Sequence, residues 1–487
     1  MQVVKNYLYN VFYQLLTVLA PLITMTYLSH VLGADGMGVQ AWTNSIVSYF
    51  LLFATLGITL YGQREIAYVR DDETVRNRRF WEIQGLHTIV SLLAIMIYLV
   101  FVYMMRHAGG EFSANNHQLY LQTWVIVSGL LDISWYFMGL EDFKKTVIRN
   151  SLVKIAMVVL IFILVKSADD VNRYILLLAL TQVIGNITMW FYIPGQVKRP
   201  KLSTLNFKRH LVPTLGLFLP TIATQVYLQL NKTMLPLFAS GEISLAAFYE
   251  NADKIVKVSL ALVTAMGTVM LPRVANHFAN GNIKAVNNAI YKSMDFVTAM
   301  AVPLMFGMMA LGPKMSIWYM GPNFLPAGWT ITLLSPIVLF IAWSNVIGTQ
   351  YLMPVNRTRD FTISVTIGAV VNVVLNLFFI PLWSLYGAAV ATVIAEAAVT
   401  IYQVYVIRRQ LELNVLFHGV WKYLIAGLVM FGVLAFMAMK MPPFPTSTVV
   451  QIIAGMGIYG ILITVLRTNF VTMIISFVRD RIIRARK

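Results

Sequence analysis

QVYLQLNKTMLPLFASGEISLAAFYENADKIVK (Gln225–Lys257) decides how the chain is read. It has the pattern of one membrane-spanning helix ending, a short turn, and a second helix beginning. Such a stretch ordinarily carries almost no charge, yet Lys232, Glu250, Asp253, Lys254 and Lys257 all fall within it. Glu250, Asp253, Lys254 and Lys257 recur at i, i+3, i+4 and i+7, which puts them on one helix face. Glu250–Lys254 and Asp253–Lys257 are i,i+4 pairs with the acid first, the better orientation. An ionised side chain facing hydrocarbon costs several kcal/mol, so this face is expected to line a bundle interior or a watery cavity. At about 1.5 Å per residue from the turn, Glu250 to Lys257 lie roughly 9–20 Å deep and Lys232 roughly 10–12 Å, within the outer half of a membrane.

The rest of the chain agrees with that setting. Of 487 residues 58% are hydrophobic and 12% charged, and the mean hydropathy is +0.71. A soluble chain carries about 25% charged residues. Apolar runs of roughly 20 residues recur along the whole length, which predicts an all-α polytopic membrane protein of about fourteen transmembrane helices. The runs are continuous, unlike the alternating segments of a membrane β-barrel. The first run, about 7–32, has no small-residue cleavage site after it and is expected to be the first span. The absence of cysteine excludes disulfides, thiolate metal sites and cysteine nucleophiles.

The net charge of +17 raises the possibility of nucleic acid, which its distribution excludes. With the N-terminus placed inside, only Arg106, Lys166, Arg173, Lys314 and Lys440 fall in outside segments, and Lys232, Lys254 and Lys257 fall within spans. Every other basic residue lies inside. This is the positive-inside pattern of a plasma-membrane protein with both termini cytoplasmic, its basic loops facing anionic membrane lipids. The longest basic linker, VKRPKLSTLNFKRH (Val197–His210), divides the chain into an N-lobe of helices 1–6 (1–196), a linker (197–211), a C-lobe of helices 7–12 (212–410), and helices 13–14 with a basic tail (411–487). Each lobe opens on a proline-containing span, a short outer turn and a helix bearing an aromatic and an asparagine: Trp42 and Asn44, Tyr249 and Asn251. Two six-helix lobes suit a rocking transporter with a midplane site. The tail FVRDRIIRARK is expected to lie on the inner leaflet.

Each charged group admits a functional and a bland reading. The Lys232, Lys254, Lys257, Glu250, Asp253 cluster sums to +1, which suits a cavity that receives a phosphate, with lysine as a point charge. It equally suits a self-neutralised network that fixes helix register. Lys232 has no obvious sequence-local partner. Asn10, Gln14, Thr17, Pro21 and Thr24 form a polar stripe on the first span, either a cavity wall with a bending point or glue between helices. Asn44, Ser45, Ser48 and Tyr49 follow on the second span. At its inner end Arg64 reads as a snorkelling anchor or a headgroup ligand, and adjacent Arg64 and Glu65 are expected to point apart. Asn372 and Asn376 share a face, and Glu396 lies mid-span without a neighbouring cation. That carboxylate is either a proton or sodium coupling site or a neutral acid bonded to the asparagines. No nucleotide-binding P-loop and no metal-ligand histidine spacing occurs, so no cofactor is expected beyond a coupling Na⁺ or H⁺.

Tyr27–Asp72 (YLSHVLGADGMGVQAWTNSIVSYFLLFATLGITLYGQREIAYVRDD), Ala246–Val258, VMLPRVA (Val269–Ala275), GPNF (Gly321–Phe324) and Pro354–Gln403 resemble bacterial polysaccharide repeat-unit flippases of the Wzx type. These belong to the multidrug/oligosaccharidyl-lipid/polysaccharide exporter superfamily. The resemblance implies fourteen helices in two lobes around a cationic cavity. It also implies a non-enzyme that flips undecaprenyl-diphosphate-linked oligosaccharides from the inner to the outer leaflet by alternating access. A polysaccharide polymerase and glycosyltransferases are implied as partners. Where relatives often carry an aspartate before the lysine of span seven, this chain has Asn231 before Lys232. The same superfamily offers alternatives: a lipid II or teichoic-type precursor flippase, or a cation-coupled multidrug antiporter. The net positive cluster disfavours the antiporter.

Overall fold

The computed structural model describes residues 2–473 apart from 196, 199–202, 204 and 240, and side chains from residue 16 onward apart from isolated positions. The basic tail and the linker residues Arg199 and Lys201 therefore lie outside the described residues, as do the side chains of Asn10 and Gln14. The chain forms two compact units, Met1–Ala247 and Phe248–Lys487. No strand occurs among the described residues.

The first unit contains α1 (Gln2–Val31), α2 (Gly33–Thr55), α3 (Ile58–Tyr68), α4 (Glu73–Met105), α5 (Gly110–Ala114), α6 (Asn116–Leu130), α7 (Ser134–Gly139), α8 (Phe143–Leu164), α9 (Val171–Trp190) and α10 (Lys208–Phe238). At its end α11 (Ser244–Ala279) begins. α2 packs against α4, α6 and α10, and α1 packs against α8. Trp42, Tyr98 and Ile126 centre one buried cluster; Phe80, Trp135 and Tyr136 centre another. The second span, expected to be continuous over about 39–66, is broken between α2 and α3. Leu56 (φ 44°) and Gly57 (φ 72°) both take left-handed backbone there. A side chain on Gly57 would start 3.2 Å from the Phe218 backbone nitrogen of α10, so the break and the close helix approach both need glycine.

The second unit holds the rest of α11, then α12 (Ile283–Met320), α13 (Leu325–Leu334), α14 (Ile337–Ser344), a π-helical stretch (Asn345–Leu352), α15 (Thr358–Ile407), α16 (Leu413–Leu416), α17 (Val420–Lys440) and α18 (Pro445–Val465). α12 packs against α13, α14, α17 and α18. The 50-residue α15 is two helices joined at Ser384 (φ 49°, ψ −127°), three residues after Pro381. The break falls between the spans expected at about 360–381 and 385–407. A Cβ on Gly387 would lie 2.0 Å from the Phe379 carbonyl oxygen, so the corner closes tightly on itself.

Among the described residues seven helices are long and apolar enough to cross a membrane, and a bent pair, Pro322–Leu334 with Ile337–Leu352 at 44°, makes an eighth candidate. This is the all-α membrane fold that the composition predicts. The helix–turn–helix expected of Gln225–Lys257 is present: α10 ends at Phe238 and α11 starts at Ser244.

Candidate functional site

α11 carries the charged ladder in the second unit. Lys254 Nζ bonds Glu250 Oε1, and Lys257 Nζ donates to Asp253 Oδ2 at 2.7 Å. Both pairs are the i,i+4 contacts that the spacing dictates. The two ends of each pair sit in different surroundings. The Glu250 and Asp253 side chains are 10% and 16% exposed, those of Lys254 and Lys257 42% and 40%. The acids are thus held in the protein while the lysine side chains are partly exposed. An ammonium on a flexible stem is free to trade one oxygen ligand for another.

Beside the ladder, Tyr249 reaches across the same unit to α15. Its hydroxyl lies 2.9 Å from Thr392 Oγ1, Asn372 Nδ2 donates to that threonine oxygen at 3.4 Å, and Asn376 Nδ2 donates to Asn372 Oδ1 at 3.0 Å. The expected Asn372–Asn376 pair is therefore one end of a buried chain. Thr392 joins it to α11, a connection no local pattern reveals. Glu396 is buried one turn beyond Thr392 on α15 and is engaged in an interaction of its own. Farther along α11, Gly267 lies against the π-helical stretch: a Cβ there would sit 2.7 Å from Asn345 Oδ1, which accepts from Gln350 Nε2 at 3.1 Å. π-helical turns are rare and occur frequently at functional sites.

In the first unit Lys232 is half-buried on α10 beside buried Asn231, and both are engaged in interactions. The next residue, Thr233, meets Ser45 Oγ at 2.8 Å and the Tyr49 hydroxyl at 3.1 Å. Asn44 is half-buried on the same helix α2, its carbonyl accepting from Ser48. The neutral hydroxyls of α2 thus hold α10 at the level of Lys232. At the end of the second span, Arg64 Nη2 lies 3.8 Å from Glu65 Oε1, contrary to the expectation that neighbours point apart. The long guanidinium arm bends back over the 100° that separates successive residues. With Arg64 43% exposed, the pair is weak.

Sequence reasoning missed the most deeply buried imidazole–carboxylate contact among the described residues. His210 Nε2 and Glu82 Oε2 are 2.9 Å apart, with the His210 and Glu82 side chains 0% and 2% exposed. Tyr61 OH lies 2.7 Å from His210 Nδ1, the Asn206 backbone nitrogen donates to Glu82 Oε1 at 2.9 Å, and Arg79 Nη1 lies 3.4 Å from Glu82 Oε2. α3, α4, α10 and the end of the basic linker meet at this carboxylate. The available signal was a lone acid at the start of the third span.

A model of the polysaccharide biosynthesis protein family matches residues 3–278, more than half of the chain. The chain belongs to that family. A putative O-antigen transporter of Escherichia coli (strain K12) is 24% identical over 405 residues, 81% of this chain and 94% of that protein. Among solved structures, the lipid II flippase MurJ in its inward closed conformation matches with a TM-score of 0.75 at 16% identity, covering 96% of this chain and 100% of that one. An inward-facing multidrug resistance MATE family transporter of the MOP superfamily matches with a TM-score of 0.59 at 12% identity, covering 85% and 95%. At these identities the likeness to solved structures is one of fold.

Proposed function

We propose that this protein is a flippase that moves undecaprenyl-diphosphate-linked oligosaccharide repeat units from the inner to the outer leaflet of the cytoplasmic membrane. The observation that carries this reading is the α11 ladder, with buried acids and partly exposed lysines, in a chain of the polysaccharide biosynthesis family. A diphosphate is the anion for which such a ladder is suited. On arrival its oxygens take the remaining donors of each ammonium, so Glu250 and Asp253 keep their lysines and no enclosed carboxylate is left without a cation. The two lobes flanking the 197–211 linker alternate access to the site, and both termini are cytoplasmic. Glu396, with Asn372 and Asn376, binds the coupling proton or Na⁺. No bond is made or broken, and the lipid-linked glycan passes to a polymerase.

Deleting the chain and analysing lipid-linked glycans on each face of the membrane tests this directly. The expected result is accumulation of one oligosaccharide on the cytoplasmic face, reversed by re-expression. Arrest of cell-wall growth without such accumulation would point to lipid II instead. No accumulation of any lipid-linked glycan would remove the flippase reading.

A further inference from the structure

At the end of the second unit remote from the Ser244 turn, α11 and α12 run antiparallel across the Asn280–Asn282 turn and enclose a cleft of about 450 Å³. Met266, Met270, Arg273 and His277 face it from α11 at steps of four, three and four residues, and Lys292 and Phe296 face it from α12. Arg273, His277 and Lys292 therefore share one opening with no carboxylate among its described lining residues. None of the three forms an ion pair among the described residues. The acid nearest in sequence, Asp295, lies one turn from Lys292 and lines the neighbouring cleft, which Lys292 also borders; there its Oδ1 accepts from the Tyr423 hydroxyl at 2.8 Å. Cationic groups gathered without counter-charge repel one another, and an anion relieves that repulsion.

The inner end of the cleft has the opposite character. Met266 lies about 16 Å from His277 along the helix at 1.5 Å per residue, and with Met270 and Phe296 it gives an apolar floor. A free inorganic anion leaves that floor unfilled. A molecule with a phosphate head and a hydrocarbon tail fills both ends, which is how basic pockets between spanning helices take lipid headgroups. We infer that the α11–α12 cleft is a binding site for a lipid bearing an anionic phosphate headgroup, with Arg273, His277 and Lys292 on the phosphate and Met266, Met270 and Phe296 against the chain. The site is separate from the charged ladder and does not depend on the translocation reading.

The test is lipid retention by the full-length protein purified in detergent. Native mass spectrometry after incubation with phosphatidylglycerol, undecaprenyl phosphate, phosphatidylcholine or inorganic pyrophosphate reads it out. The wild type is expected to hold phosphatidylglycerol or undecaprenyl phosphate about tenfold more tightly than phosphatidylcholine. The Arg273→Gln/His277→Gln/Lys292→Gln protein is expected to lose that preference. Lys284→Gln, an exposed charge on the next turn that does not line the cleft, is expected to keep it, as is Arg273→Lys/Lys292→Arg. Which of the two anionic lipids is held distinguishes a bulk phospholipid from a polyprenyl phosphate. Should the triple variant unfold, Lys292→Gln alone provides the same comparison. Equal retention by wild type and variant, or displacement of either lipid by an equal concentration of pyrophosphate, would overturn the assignment.

Discussion

Two kinds of buried carboxylate contact occupy the interior of this protein, one in each unit. In the first unit Glu82 and His210 are sealed, at 2% and 0% side-chain exposure, and every oxygen of the carboxylate has a donor. In the second, Glu250 and Asp253 are enclosed while Lys254 and Lys257 are 42% and 40% exposed. A sealed pair has no room for a visitor, so its charge serves only the assembly of α3, α4 and α10. A half-open pair gives little stability, because water or a ligand competes for the cation, and that competition makes it useful. Partner exposure, more than the presence of charge, separates scaffold from site.

The contrast is most sharply broken by Glu82→Ala. Leaving the Arg79 guanidinium without its carboxylate, and His210 and the Asn206 N–H facing an emptied pocket, is expected to cost about 3–5 kcal/mol, the usual penalty for removing one member of a buried ion pair. Unfolding of the purified protein in detergent measures it, and a stability equal to the wild type would dissolve the distinction. Lys257→Ala and Lys254→Ala are expected to behave in the opposite way. Stability should fall less than for Glu82→Ala, by about 1–3 kcal/mol, because an enclosed carboxylate loses a half-exposed partner. Surface polysaccharide, normalised to protein abundance, should fall about tenfold, or about 1.4 kcal/mol in translocation free energy. A large loss of stability with normal export would make the ladder a second scaffold.

A smaller effect sharpens the comparison within the second unit. Thr392→Val removes the hydroxyl shared by Tyr249 and Asn372, at an expected cost of about 1–3 kcal/mol for buried groups left unmatched. Thermal unfolding reads it, with export falling less than for the lysine variants. Smallest of all, Thr233→Val touches only the neutral hydroxyl cluster with Ser45 and Tyr49 and should cost about 1 kcal/mol. Export unchanged within a factor of two would keep α2 on the structural side of the contrast.

What could be read in the chain beforehand divides along the same physical line. The α10–turn–α11 unit and the Glu250–Lys254 and Asp253–Lys257 pairs were legible because helical periodicity alone fixes contacts three and four residues apart. Asn372 and Asn376 were legible for the same reason, but Thr392 was not, since it joins them only through packing between two helices. Glu82–His210 is invisible to any local pattern, its members lying 128 residues apart. The break at Leu56–Gly57 and the π-helical turn at Asn345–Leu352 interrupt apolar runs whose composition does not change across them, whereas the corner at Ser384 falls at the boundary expected between two spans. Hydropathy counts oil, and it is blind to a corner.

Gly387 has a mechanical consequence. With the Phe379 carbonyl so near, the two arms of α15 touch at their elbow, and that elbow is a clamped joint as opposed to a loose hinge. Any methyl group placed there would act as a wedge and force the arms apart. Motion in this region therefore has to carry both arms together, as a bent bar swings without changing its bend.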